Sequence, residues 1–404
     1  MGFGLLGWHL SHSYSPRIHA CLGEYSYALY DIPPDQLADF LRSGKFDGLN
    51  VTIPYKKSVI PFLSALTEEA QMLGAVNTII REGDKLIGHN TDYFGFQYML
   101  KHLNLSVSEK KILVLGSGGA SNTVAAVLRH LNAEVYIISR TGNYNYQNIH
   151  LHHDAAIIAN TTPVGMYPNV GCSLVDLHSF PKLEAVLDVI YNPARTQLLL
   201  DAEACGLITA NGLWMLIAQA KESAEWFLKK QIPDSVLPEI YRKLRNEMEN
   251  IVLIGMPGCG KTTVGTHVSK ILGRRFVDLD AEVIALAGCS IPEIFSTEGE
   301  ARFRQFETAV LRRYGKESGL VIATGGGSVI RPENYLPLHQ NGKIIWLTRD
   351  LKKLPIEGRP LSQAGSLDAM YAVRKPLYES FADLTVSNDG TIEETVSTIR
   401  SFYT

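Results

Sequence analysis

The chain has 404 residues, 46% of them apolar and 20% charged, with a formal net charge of −3. That is too long for one ordinary domain and too apolar for general disorder. The near-neutral balance, common to the parts before and after residue 246, excludes a basic nucleic-acid binder, and no apolar run approaches the roughly 20 residues of a membrane span.

In chain order, short apolar strands alternate with helical stretches. Strands are expected over residues 4–7, 47–53 (closed by Pro54), 111–116, 134–139, 155–160 and 185–191, with a helix over 122–132. A charged helical stretch over 239–249 precedes a second series at 250–255, 276–280, 320–324 and 343–347. Continuous apolar strands separated by helices point to α/β architecture with parallel sheets covered on both faces. The boundary is placed near residue 246, and its composition predicts a tight junction without a flexible tether. The five cysteines are widely spaced with no CxxC. This argues against a disulfide scaffold or a cysteine zinc site, and together with the lack of a basic-then-apolar leader it predicts a cytoplasmic protein.

Two glycine loops organise the chemistry. Gly116-Ser117-Gly118-Gly119-Ala120-Ser121 follows a predicted strand and opens a helix, so backbone N–H groups and the helix N-terminus can face a dinucleotide pyrophosphate. The next strand ends in Ser139-Arg140-Thr141, without the carboxylate expected of an NAD site. Arg140 offers a guanidinium to the 2′-phosphate of NADP instead. Gly255-Met256-Pro257-Gly258-Cys259-Gly260-Lys261-Thr262-Thr263 is a full GxxxxGK[ST] between strand and helix. Its backbone can wrap the β-phosphate, Lys261 reaches the β/γ oxygens, and Thr262 binds Mg²⁺. Asp278 and Asp280 follow at the end of the next predicted strand, one able to serve Mg²⁺ and the other to take a hydroxyl proton. Arg304, on a predicted helix, and Arg359 and Arg374 add guanidinium groups that can grip a carboxylate or neutralise transition-state charge. Gly325-Gly326-Gly327 permits close backbone approach.

Upstream of the first loop lie small polar groups: Ser13-Tyr14-Ser15-Pro16, Asn50 to Lys56 with Thr52, Gly74 to Thr78 with Asn77, and Asn90-Thr91-Asp92. They supply hydroxyls, an amide, an ammonium and a carboxylate. That inventory suits a polyhydroxylated carboxylic acid, and Lys56 with Asp92 can move a proton.

These motifs carry a resemblance. Residues 1–245 resemble shikimate dehydrogenase through HSxSP at 12–16, NVTxPxK at 50–56, GAVNT at 74–78, NTD at 90–92, GxGGA at 116–120, NTTPVGM at 160–166, DVIYNP at 188–193 and MLxxQA at 215–220. The resemblance implies a two-lobed dehydrogenase. Its substrate lobe would span about 1–100 plus helices of about 213–245, and its Rossmann-type NADP lobe about 101–212. It implies that Ser13, Ser15, Thr52, Asn77 and Gln219 hold the substrate, that Lys56 and Asp92 are the catalytic pair, that Tyr191 closes the pocket and that Gly212 borders the cofactor. Residues 246–404 resemble shikimate kinase, which implies a P-loop α/β domain of the nucleoside-monophosphate-kinase kind. Asp280, Arg304, Gly326 and Arg374 would bind shikimate, with Asp280 the base for its 3-hydroxyl. Thr262 and Asp278 would hold Mg²⁺, and Lys261 and Arg359, the latter from a lid, would meet the phosphates.

The implied whole is a bifunctional enzyme using NADPH, ATP and Mg²⁺ on 3-dehydroshikimate and shikimate. The alternative is a quinate/shikimate dehydrogenase fused to a regulatory or inactive kinase-like module. There are departures from both families. Residues 141–160 are short, with an unusual Asn143-Tyr144-Asn145-Tyr146 stretch. Residues 350–358 are short and lack an Arg-Thr pair before the lid. Trp214 is larger than expected beside the nicotinamide region. His150, His152 and His153 with Asp154 read as a solvated loop, Cys259 as a small filler of the glycine loop, and Lys229-Lys230 and Arg274-Arg275 as solvated faces.

Overall fold

The computed structural model describes residues 2–10, 13–354 and 366–403. The chain divides into two compact units. The first comprises Met1–Val164, Ser173–Tyr191 and Asp201–Lys243, and the second Gly165–Cys172, Asn192–Leu200 and Leu244–Thr404.

The first unit carries two sheets. One has six strands, β1 (Phe3–Gly7), β2 (Tyr27–Asp31), β3 (Gly48–Val51), β4 (Ala65–Leu66), β5 (Thr78–Glu82) and β6 (Lys85–His89), in the order β2-β1-β3-β5-β6-β4. It is mixed, which corrects the expectation of parallel sheets throughout. β5 runs antiparallel to both β3 and β6, and a tight turn at Gly83, with φ of +61°, closes the β5–β6 hairpin by folding Glu82 against Lys85. The second sheet, β7 (Lys111–Leu115), β8 (Glu134–Ile138), β9 (Ile157–Asn160), β10 (Ala185–Asp188) and β11 (Ile208–Ala210), is wholly parallel in the order β11-β10-β9-β7-β8. Its central strands are buried along their length, as their unbroken Ile, Leu and Val runs require. The connection from β8 to β9 holds only a short 3-10 turn, Ile149–His152, in place of a full crossover helix. That is the physical form of the short 141–160 region. At its start the side chains of Asn145 and Asn148 donate to Gly142 O and Asn143 O and accept from each other's backbone N–H.

The second unit is built on β12 (Asn250–Ile254), β13 (Arg275–Asp278), β14 (Leu320–Ala323), β15 (Gly342–Thr348) and β16 (Leu384–Ser387), parallel throughout in the order β13-β14-β12-β15-β16. Ile251, Val252, Leu253, Ile254, Val321, Ile322, Ile344, Ile345 and Leu347 form its buried centre. Within this unit the guanidinium of Arg195 donates to the carbonyls of His339 (2.9 Å) and Gly342 (2.7 Å). Among the described residues no helix is long and apolar enough to cross a membrane.

Candidate active sites

The first site grows from the carboxyl end of β3. The chain leaves Val51 through Thr52, whose N–H bonds Leu6 O (2.9 Å), and reaches Lys56, whose carbonyl accepts from Val76 N (2.7 Å). Asp92 opens the helix Asp92–His102. The two meet: Lys56 Nζ lies 2.5 Å from Asp92 Oδ2, with both side chains partly exposed. A partly exposed ammonium held by a carboxylate is both a fixed positive charge and a proton source.

Beside this pair, Asn77 Nδ2 donates to Gln219 Oε1 (3.4 Å), and Asn77 Oδ1 accepts from Thr91 N (2.7 Å). Gln219 lies on the helix Leu213–Leu228. That helix packs tightly on Asp92–His102 at Gly95, where any Cβ would meet Met215 O at 2.6 Å. A buried polar network underlies the site. Ser223 Oγ accepts from Asn50 Nδ2 (2.7 Å), lies 3.0 Å from Thr78 Oγ1 and 3.1 Å from Thr91 Oγ1, and donates to Gln219 O (2.8 Å). Asn50 Oδ1 in turn accepts from Tyr27 OH (2.7 Å). Tyr27 is hydrogen-bonded to Ser15, and Ser15 N donates to Ser13 Oγ (3.2 Å). The network thus runs from Ser13 and Ser15 to Asn77 and Gln219, with every hydroxyl partnered, as burial demands. Burial holds the Tyr27 phenol well above its ordinary range and pushes the His19 imidazole, stacked on it at 4.0 Å, down to about 3. Tyr191 lies edge-on to Tyr14, with ring centroids 6.0 Å apart, and burial raises its phenol.

The roles of Asn50, Thr78, Thr91 and Ser223 in this network are not legible in the sequence. Nothing local marks them, since their partnership spans up to 173 residues of sequence.

The first glycine loop joins β7 to the helix Gly119–His130, three residues earlier than expected. It lies at the point where β8 and β9 leave β7 on opposite sides, the usual position for a dinucleotide. Gly116 has φ of +114°, and a Cβ there would meet Thr161 Oγ1 at 2.8 Å. Ser121 Oγ donates to Gly116 O (2.7 Å), so the residue at the third-glycine position braces the turn. Ser117, Gly118 and Gly119 are exposed, Ala120 is half-buried, and a Cβ on Gly118 or Gly119 would meet nothing within 4 Å. This open cradle of backbone fits a pyrophosphate. After β8, Ser139 is buried, with its N–H on Tyr144 O (3.1 Å), while Arg140 and Thr141 face solvent. Gly212 caps the helix Leu213–Leu228 with its N–H on Ile190 O (2.9 Å).

Trp214, larger than the family resemblance leads one to expect, is held by stacking. Its ring is buried between Tyr241 (4.0 Å, interplanar angle 7°) and His102 (3.8 Å), because helix Leu213–Leu228 turns that face inward. His152 is also buried, against Tyr136 and Tyr144, with its imidazole lowered by desolvation and by Lys111. The expectation of a wholly solvated histidine loop is corrected there.

The second site lies at the carboxyl ends of β12, β13 and β14. A cleft of about 440 Å³ is lined by Gly258, Gly260, Lys261, Thr262, Thr263, Asp280, Arg304, Gly326 and Arg374, all foreseen, and also by Glu307 and Arg349, which were not. Lys261 heads the helix Lys261–Leu272, and its Nζ donates to Gly255 O (2.8 Å) and Met256 O (3.1 Å). Thr262 Oγ1 donates to Asp278 Oδ2 (2.7 Å), so an alcohol and a carboxylate converge as a divalent cation needs. β13 ends at Asp278, short of the expected Asp280. The Asp278 carboxylate accepts from Asp280 N (3.0 Å) and Ala281 N (3.4 Å), which caps the helix Leu279–Ala287 and turns the chain.

Burial pushes the Asp280 carboxyl up to about 6. Lys261 and Arg304 oppose the shift, while Asp278 and Glu307 reinforce it. Arg304 is clamped on its own helix by Glu300 (2.9 Å) and the buried Glu307 (2.8 Å), and its guanidinium lies on Gly327, where a Cβ would fall 2.4 Å from Nη1. Glu307 Oε1 also accepts from Ser328 Oγ (2.7 Å). Its spacing of three residues after Arg304 is the helical signal that could have found it. Arg374 Nη1 and Tyr378 OH both donate to Gly326 O, at 3.1 and 2.5 Å.

Cys259 is fully buried, and its carbonyl accepts from Asn388 Nδ2 (2.7 Å). Arg274 is not a solvated face: it donates to Glu249 O (2.6 Å) and to Asn246 O and lies over the Tyr403 ring. Arg359 and His12 lie outside the described residues.

Residues 5–79 match the family model of the shikimate dehydrogenase substrate binding domain, and residues 257–404 match that of shikimate kinase. A shikimate dehydrogenase (NADP(+)) of Clostridium beijerinckii is 34% identical over 268 residues, 61% of this chain and 99% of that protein. A shikimate 5-dehydrogenase of Thermus thermophilus solved with NADP(H) and shikimate is 32% identical, with a TM-score of 0.55 over 60% of this chain and 98% of that one. A quinate dehydrogenase of Corynebacterium glutamicum solved with NAD is 27% identical, with a TM-score of 0.55 over 59% and 97%. This chain belongs to the shikimate dehydrogenase family and carries a shikimate kinase domain in the same polypeptide.

Proposed function

We propose that the chain performs two successive reactions of the shikimate pathway in the cytoplasm: reduction of 3-dehydroshikimate with NADPH, by residues 1–245, then phosphorylation of the shikimate formed with ATP, by residues 246–404. The open cradle of Gly118 and Gly119 and the exposed Arg140 suit NADP, and the glycine loop with Thr262 and Asp278 suits ATP and Mg²⁺. Bound NADPH supplies a hydride, and bound MgATP the phosphoryl group to be transferred.

In the first site Ser13, Ser15, Thr52, Asn77 and Gln219 orient the substrate, and Tyr191 covers it. As negative charge develops on the ketone oxygen, Lys56 stabilises it and delivers a proton, while Asp92 holds the ammonium in place. In the second site Arg304 and Arg374 grip the shikimate carboxylate. Arg304 retains N–H donors on both terminal nitrogens beyond those held by Glu300 and Glu307. Asp280 takes the proton of the 3-hydroxyl, and Lys261, with Arg359, neutralises charge on the phosphates.

The observation that carries this reading is the cleft that gathers Asp280, Arg304 and Arg374 with Lys261 and Thr262. A buried carboxylate with raised proton affinity, set beside Lys261 and Arg304, supports the role of base over the reading of an inactive module. The reduction creates the hydroxyl that this base activates, so each site supports the other. Steady-state rates with 3-dehydroshikimate and NADPH, against quinate and NAD, test the first half. Preference for quinate with NAD would overturn it.

A further inference from the structure

Arg349 has no part in the chemistry described so far. It follows β15 directly, at the carboxyl end of the sheet, where parallel α/β folds bind their ligands. It lines the same cleft as the glycine loop, and its Nε is buried with no hydrogen-bond partner among the described residues. A guanidinium N–H left unpaired at a cleft wall is costly unless a ligand completes it.

Strand order together with the seating of the glycine loop against β15 points to the ligand. β12, which feeds the glycine loop, stands at the centre of β13-β14-β12-β15-β16. Of the groups assigned to shikimate, Asp280 beyond β13 and Gly325 to Gly327 beyond β14 hang from one side. Arg349 hangs from the other, as does Arg374, which comes from the helix Leu367–Phe381 and reaches across to Gly326 O. There the flank of the glycine loop is fixed to β15 and β16: Asn388 N donates to Thr348 O (2.8 Å) and Asn388 Nδ2 to Cys259 O (2.7 Å), while a Cβ on Gly255 would fall 2.4 Å from Leu347 O. The residue after Thr348 is therefore carried to the nucleotide side of the cleft. Asp389, which lies close enough to feel its charge, is already met by Asp350 N (2.8 Å), Ser387 Oγ (3.0 Å) and Lys353 Nζ (3.9 Å).

We propose that Arg349 is a nucleotide-binding residue of the kinase site, its guanidinium meeting the polyphosphate of ATP from the β15 side of the glycine loop. The inference rests on the reading of this cleft as an ATP site. It assigns the nucleotide a cation anchored on the rigid sheet, independent of any lid.

The test compares the full chain with Arg349→Ala, Arg349→Lys and Asp389→Asn, measuring KM for MgATP and for shikimate, kcat, and MgADP affinity by calorimetry. Arg349→Ala is expected to raise the MgATP KM and weaken MgADP by about tenfold, the loss of one charge-assisted hydrogen bond, with shikimate KM unchanged. Arg349→Lys, which keeps the charge but not the fork, recovers part of the loss, and Asp389→Asn leaves both nucleotide constants unchanged. Unaltered nucleotide constants in Arg349→Ala, a rise in shikimate KM instead, or the same nucleotide loss in Asp389→Asn would each overturn the proposal. A wild-type chain that neither phosphorylates shikimate nor binds MgADP would instead refute the kinase reading itself.

Discussion

Replacing Asp280 by Asn separates what this carboxylate does for catalysis from what it costs the fold. Burial raises its carboxyl from the ordinary 3.8 to about 6. A carboxyl with a raised folded value binds its proton more tightly in the native state. It therefore adds stability at pH below its unfolded value, and that contribution is lost as pH rises through about 6. Above that window the charged form carries a penalty of about 3 kcal/mol, from roughly two pKa units at 1.36 kcal/mol each. The penalty is smaller in practice because the carboxylate borders the open cleft. Asp280→Asn, neutral at every pH, should thus unfold at higher denaturant concentration than wild type at pH 7.5, by about 1–3 kcal/mol, and lose this advantage by pH 4. Phosphoryl transfer should fall by 10²-fold or more, as for loss of a positioned base. In wild type, kcat/KM of the kinase reaction should drop about tenfold per pH unit below pH 6. Equal stability of the two proteins at pH 7.5, with a rate that is flat down to pH 4.5, would refute the reasoning. It would mean that Asp280 is an ordinary solvated carboxylate.

Three further outcomes follow from the sites. Lys56→Ala should lower the dehydrogenase kcat by about 10²-fold or more, measured by NADPH oxidation, and near-normal turnover would remove Lys56 from the chemistry. Arg140→Asp should weaken NADPH far more than NADH, and equal losses in the two KM values would contradict the 2′-phosphate assignment. Arg304→Ala should raise the shikimate KM with little effect on that of ATP, and an unchanged shikimate KM would place the carboxylate elsewhere.

Much of this was legible in the sequence because the relevant signals are local. The unbroken Ile, Leu and Val runs of β7, β9, β12 and β14 are buried parallel strands, and each glycine loop falls between the strand and helix expected of it. Lys56 and Asp92, whose residue types suit proton transfer and which the family resemblance pairs, lie in contact. The β5–β6 hairpin was missed although Gly83-Asp84 marks its turn, because attention to continuous apolar runs passes over short alternating strands. The Ser223 network was not legible at all. Its members are ordinary Ser, Thr and Asn residues far apart in sequence, and only the packing of helix Leu213–Leu228 against β3 and β5 brings them together. Arg274 read as a charged surface pair, yet its guanidinium serves two carbonyls exposed by the end of a helix. Side-chain hydrogen bonding to distant backbone leaves no periodic trace in sequence.

The central claim is that one polypeptide reduces a ketone and then phosphorylates the hydroxyl it has made. The most direct measurement is a single reaction holding the purified full chain, 3-dehydroshikimate, NADPH and MgATP, followed for NADPH, ADP and shikimate 3-phosphate. The account predicts one NADPH consumed and one ADP formed per phosphorylated product, NADPH oxidation and ADP formation both slowed about 10²-fold in Lys56→Ala with ADP formation alone restored when shikimate is added, and accumulation of free shikimate in Asp280→Asn. NADPH oxidation by wild type that yields shikimate and no shikimate 3-phosphate would contradict it.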